Sequence, residues 1–276
     1  MNQTFLLPRF GRLLRKYFTD NRGQLGVNVA LLAVVLIALA CIFYSDNPSA
    51  VDRSRSIPFF FVGWVAWYIF IWQQTEPLNH KERAMTYLMQ PASQMEKIVL
   101  IWFVSGIGFM LAFLLVFGLI DATGVQYVNS REWNPAQLEQ IKGAGNMLSI
   151  KPFYQSDNFW PPAHILVLTG LLHPFSLASL LILKQYSLPL VGVLIIVLIP
   201  LGYFLNTYLA HWFLNIPEVN SALPFEGLFV NALAGSGSRR IDLPQPIGDQ
   251  LRYVVGITVV VLLYITAYFR LNEREV

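Results

Sequence analysis

The chain has 276 residues, of which 55% are hydrophobic and only 13% charged, with a mean hydropathy of +0.51 and a formal net charge of +3. An ordinary soluble domain carries about 25% charged residues, and a globule this apolar would expose large water-insoluble patches. The composition excludes a soluble enzyme, and so small a net charge gives no footing for nucleic acid as a partner.

In residues 1–23, Leu6, Phe10, Leu13, Leu14, Tyr17 and Phe18 recur at three- and four-residue spacing, with Arg9, Arg12, Arg15 and Lys16 between them. The pattern predicts a short cytoplasmic amphipathic helix at the membrane surface, its apolar stripe at the headgroup boundary and its cations toward anionic lipid. Membrane lipid is therefore an expected partner; a plain charge anchor for the first span is the alternative reading.

Residues 24–45, 57–74, 98–120, 163–183, 189–214 and 253–269 contain no Asp, Glu, Lys or Arg. Crossing a bilayer takes ~20 mostly apolar residues at 1.5 Å rise, so these blocks predict six transmembrane helices in one all-α, polytopic membrane domain covering 1–276. Cys41 follows Ala38-Leu39-Ala40, a faint likeness to a lipoprotein cleavage box. The block is longer than a signal-peptide core and the position is late for cleavage, so the first helix is expected to be retained and Cys41 to be an ordinary buried thiol.

Between spans two and three, residues 75–97 are longer than a connector needs. A short helix is expected over 78–89, with Asn79 able to cap it, Glu82 three residues later and Pro91 to stop it; a second start follows with Ser93 as cap and Glu96 three residues on. Residues 121–162 hold Tyr127, Trp133, Phe153 and Trp160 and a helix opened by Asn134-Pro135 and stopped at Gly143, which predicts a small folded cap whose aromatics anchor at the interface. Residues 215–252 are apolar over 216–233 yet broken by Pro217, Pro224 and Gly227. Broken apolar backbone at membrane depth is tolerated only against protein or a water-filled cavity, so this stretch is expected to form one or two re-entrant helices.

Within the spans, His173 is followed by Pro174, and Asn206 and His211 lie in the fifth block. An ionisable group inside a membrane is a functional candidate by default, which makes His173, Asn206 and His211 candidates for lining a path. The alternative for His173 is a neutral ring bonded to a neighbouring Ser or to a carbonyl freed by Pro174. No H-E-x-x-H and no Cys pair occurs, so no metal site is expected.

Six spans put both termini on one side. Segments 1–23, 75–97, 184–188 and 270–276 hold 11 of the 19 basic residues in 58 positions, against 8 in 91 on the other side. By the positive-inside rule both termini are cytoplasmic.

A basic amphipathic N-terminus, six spans, the loop pattern R-x-x-T-x-x-x-x-P-A-S-x-x-E-K over 83–97, and an end reading Tyr268-Phe269-Arg270-Leu271-Asn272-Glu273-Arg274-Glu275 together resemble the permease subunits of type-2 ATP-binding-cassette exporters. In that family the loop often reads L-P-A-S-R-x-E-K, where this chain has Gln90-Pro91-Ala92-Ser93-Gln94-Met95-Glu96-Lys97, with Gln at the usual Leu and Arg positions. The resemblance implies a multi-pass protein of the cytoplasmic (inner) membrane that exports a hydrophobic or amphipathic substrate. It implies a separate cytosolic ATPase subunit that binds ATP and Mg, since this chain carries no cofactor and no G-x-x-x-x-G-K-[ST] loop, Gly235-Ser236-Gly237-Ser238-Arg239-Arg240 being its nearest Gly-rich stretch. It further implies that Lys81, Glu82, Arg83, Thr86 and Tyr87 face the ATPase and that Pro91, Ser93, Glu96 and Lys97 shape the turn into span three. A second copy, or a related permease, is expected to complete the path, and the broken segment before span six to close its outer end. The competing readings are a non-transporting integral membrane scaffold of an envelope assembly and a membrane-embedded enzyme, for which the spans offer only scattered His and Asn.

Overall fold

The computed structural model describes residues 5–273 except 80–81, 83, 86–88, 90–91, 136–137, 140–142, 144–147, 157–158, 160, 184–185, 215–218, 223–227, 232–237 and 242–246. Six of its helical segments are long and apolar enough to cross a membrane, and the chain is an all-α multi-pass membrane protein. Its residues group into two compact units, one of Met1–Phe70 with Gln90–Trp160, the other of Ile71–Met89 with Pro161–Val276.

The first unit begins with α1 (Leu7–Phe43), a single helix of 37 residues. The amphipathic segment and the first span are thus one uninterrupted rod instead of a surface helix followed by a span. No proline interrupts it after Pro8, and the polar residues ahead of the apolar block bond to the helix itself: Thr19 Oγ1 donates to the Arg15 carbonyl at 2.9 Å and Asn21 Nδ2 to that of Tyr17 at 2.9 Å. Cys41, expected to be buried, is exposed on α1.

After α1 comes α2 (Pro48–Ser54), opened by Asn47, whose Oδ1 accepts the Ala50 N–H at 2.8 Å, with Pro48 at the first position. Helix α3 (Ser56–Thr75) is the second span. The third span is composite: α4 (Gln94–Trp102), a π-helical turn over Phe103–Gly108, and α5 (Phe109–Ser130). Along α5, Phe109, Phe113 and Phe117 recur every fourth residue and so share a face. Their rings stack at 6.0 Å spacings, with Trp67 of α3 stacked on Phe109 at 6.0 Å and Phe59 against Phe113 and Phe117 at 5.5 and 4.9 Å. Gly63 lets α3 approach this ladder, since a Cβ there would stand 3.0 Å from the Phe113 ring. The ladder continues to Phe153 and Phe159, so Phe153, expected at the interface, is instead buried in the core.

The expected helix in the 121–162 segment is present in its described residues: Pro135, Leu138, Glu139 and Gly143 are helical, and Leu138 N–H donates to the Asn134 carbonyl at 2.9 Å. Tyr127 is exposed, Trp133 lies under the Arg131 guanidinium at 4.7 Å, and Trp160 is outside the described residues.

The second unit holds α6 (Ala163–Ile182), α7 (Ser187–Leu214) and α8 (Ile247–Glu273). Helices α6 and α8 pack along each other, and Gly256 permits it: a Cβ there would come within 3.2 Å of Val167. Most of α7 is exposed, for example Ile196 at 71% and Phe213 at 72%, which is what a lipid-facing helix presents.

The segment before the last span is not helical where it is described. Val219–Ala222, Leu228–Asn231 and Ser238–Ile241 form a three-stranded antiparallel sheet in the order β1-β2-β3, with Phe229 opposite Ser221 and Arg240. The expectation of re-entrant helices fails because the prolines and glycines that break a helix recur every few residues and leave only short runs, of which Leu-Phe-Val suits a strand. An open sheet has unpaired edges, which do not occur in lipid-exposed hydrocarbon.

Candidate functional site

The 75–97 loop is described in part. A 3₁₀ turn covers Glu76–Asn79, where Asn79 Nδ2 donates to Ser187 Oγ at 3.4 Å. Glu82, Ala84 and Met85 are helical, as expected, and Met89 N–H closes a turn on the Met85 carbonyl at 2.8 Å. Glu82 is exposed, as are Met85 at 58% and Met89 at 82%. Lys81, Arg83, Thr86, Tyr87 and Pro91 lie outside the described residues.

The end of the loop is fully built. Ser93 Oγ accepts the Glu96 N–H at 3.2 Å and the Glu96 carboxylate accepts the Ser93 N–H at 2.9 Å, the reciprocal capping box expected from the spacing. Lys97, buried, donates its backbone N–H to the Ser93 carbonyl at 3.1 Å. The remaining partners of Glu96 lie far away in the chain and leave no local pattern. Its Oε1 accepts the backbone N–H of Leu6 at 2.8 Å and its Oε2 accepts Arg9 Nε at 2.6 Å, while the Glu96 side chain has no exposed surface. Two residues expected to act separately, Arg9 on lipid and Glu96 in the loop, are one clasp. Arg12, Arg15 and Lys16 stay exposed on α1.

The far end of the same unit holds a second buried constellation. Asp121 Oδ1 accepts the Tyr44 hydroxyl at 2.5 Å and Arg55 Nη1 at 3.3 Å, and its Oδ2 accepts the Phe153 N–H at 2.7 Å. Arg55, with no exposed surface, also donates to the Lys151 carbonyl at 2.7 Å and to Asp52, and sits 5.4 Å from the Phe153 ring centre. Asp52 accepts Ser156 Oγ at 3.1 Å. This knot ties the end of α1, the start of α3 and the middle of α5 to the chain at 151–156. The available signal was that Asp121 ends one charge-free block and Arg55 nearly begins another, with opposite charges.

In the second unit His173 is buried and its Nδ1 lies 2.8 Å from the Tyr264 hydroxyl of α8. This partner is a phenol on another span, 91 residues away, which local sequence does not reveal. Asn206 and His211 are half-buried on α7.

Compared with known proteins, the chain matches no family model, no curated protein and no solved structure.

Proposed function

We propose that the chain is the membrane-spanning subunit of an ATP-binding-cassette transporter, exporting a hydrophobic or amphipathic substrate on ATP and Mg bound by a separate cytosolic ATPase. The observation that carries this reading is the loop between spans two and three: it ends in a capping box whose carboxylate also holds the first helix. A connector has no need of such an anchor; a surface that receives force does. Exposed Met85 and Met89 just ahead of it supply adaptable apolar contact for a partner. In this reading both termini and the loop are cytoplasmic, the protein sits in the inner membrane, and two copies, or this chain and a related permease, meet around the path.

The test is co-purification. Interfaces concentrate their energy in a few residues, with Tyr and Arg prominent. Arg83→Ala with Tyr87→Ala is expected to leave the protein inserted and to weaken ATPase binding about thirtyfold, which is ~2 kcal/mol at 1.4 kcal/mol per tenfold. An unchanged affinity, or a wild type that retains no ATPase, removes the reading and leaves a membrane scaffold in its place.

A further inference from the structure

We propose that Glu96 is a positioning residue that makes the start of the chain and α4 one body, a lever that swings about the π-helical turn Phe103–Gly108 and is latched by Trp67. That an ATPase drives the lever rests on the transporter reading; the lever itself does not.

Three observations define it. Below the turn, the Glu96 carboxylate holds Leu6 N–H, Arg9 and Ser93 N–H together, so the start of α4 and residues 6–9 are joined, and the Phe10 ring meets Phe103, the first residue of the turn, edge-on at 6.5 Å. Above the turn, Phe109, Phe113 and Phe117 lock α5 to α3 through Trp67, Gly63 and Phe59. Between them lies the turn, with Gly106 and Gly108 in it. A π turn carries one more residue than the α ladder on either side. Re-registering it by one residue turns the two flanking helices relative to each other by up to ~100°, the angle of one residue in a 3.6-residue turn. Such a step spares the clasp and the ladder; because residues 7–10 open the continuous α1, whose far end is bonded through Tyr44 to Asp121 of α5, the swing is taken up by bending of α1 between its two tied ends.

The latch is equally specific. Trp67 Nε1 donates to the Ser105 carbonyl inside the turn at 2.6 Å, and Ser105 Oγ donates to the Ile101 carbonyl at 2.6 Å, with both residues buried. The indole reaches across from α3 to hold one register of the turn. A two-state element biased from both sides is what transmits a push from one end of a span to the other.

Hydrogen exchange on the purified membrane protein reads the lever without any ATPase. Trp67→Phe, which keeps the ring and removes the donor, is expected to speed exchange of the amides in 103–109 at least tenfold and to leave those of 6–10 unchanged. Glu96→Gln is expected to speed 6–10 and leave 109–117 unchanged; Arg9→Ala, which keeps the capping box, reports the same amides if Glu96→Gln does not fold. Both variants loosening the same amides would overturn the proposal, because the clasp and the turn would then be one cooperative unit. Once an ATPase is in hand, Leu6→Cys and Ala92→Cys in a Cys41→Ala background, joined by a short bis-maleimide that adds across both thiols, are expected to keep ATP turnover within twofold. A tie that stops turnover means the two segments must part during the cycle, which also overturns it. Absence of an ATPase counts against the transporter reading alone, and the exchange result then decides the lever.

Discussion

Arg55 and Asp121 are each almost fully enclosed, and each is neutralised by the other and by donors or acceptors from three stretches of chain. Removing one member of a buried pair leaves an unpaired charge and costs about 3–5 kcal/mol, far more than the pair contributes over an apolar substitute. Asp121→Ala is therefore expected to lower the thermal midpoint in detergent sharply, and the double change Arg55→Met with Asp121→Leu to recover a large part of the loss. Gly124 tests the same junction sterically. A Cβ there would lie 2.5 Å from the Tyr44 ring, so Gly124→Ala must displace Tyr44 from Asp121, whereas Gly118→Ala meets open space. Thermal melts of the two variants should differ by several degrees. None of this was visible in the sequence beyond two opposite charges at block edges, because a bond between residues 66 apart leaves no local pattern. The Ser93–Glu96 box was legible for the opposite reason: its partners are three residues apart and the spacing is itself the geometry.

At the scale of elements, the apolar blocks locate the spans well, since α3, α6 and α7 begin and end within two residues of theirs. What charge-free length misses is how far a helix continues past the hydrocarbon: α1 begins 17 residues before its block and α5 ends 10 after. Helix ends are set by caps and by side chains that bond to the backbone, not by hydropathy. The sheet was missed because strand runs of four residues, separated by Pro- and Gly-bearing links, carry little periodicity. The phenylalanine ladder makes an element-scale prediction. Phe113→Ala removes contacts with Phe109, Phe117 and Phe59 and is expected to cost about 3–5 kcal/mol, while Leu115→Ala, at a site 67% exposed, should stay within ~0.5 kcal/mol. Equal losses in detergent-solubilised stability would mean that the ladder does not bear the packing of the third span.

For the whole molecule the proposed orientation is open to a direct check. In a Cys41→Ala background, a cysteine replacing exposed Tyr154 should react with an impermeant thiol reagent in intact cells, and one replacing exposed Met89 should react only after the membrane is permeabilised. Labelling of Met89→Cys from outside would reverse the topology and with it the docking role of the loop. The six spans follow from composition alone, whereas the side on which the loop lies follows from the asymmetry of basic residues, which acts during insertion.

The clasp and the far knot also set an order of events on the ribosome. Leu6 and Glu96 are 90 residues apart, Tyr44 and Asp121 77, Arg55 and Lys151 96. At about 5–20 residues per second, the first helix waits roughly 5–20 s for the partners of either end. During that interval it stands in the bilayer with Arg55 just beyond it paired only with Asp52, a nascent intermediate exposed to quality control. Chains truncated after residue 110 should accordingly be cleared quickly by membrane proteases, and chains truncated after residue 160, which carry both Glu96 and Asp121, should persist. Pulse-chase half-lives of the two products would measure how long synthesis must run before the first span is safe.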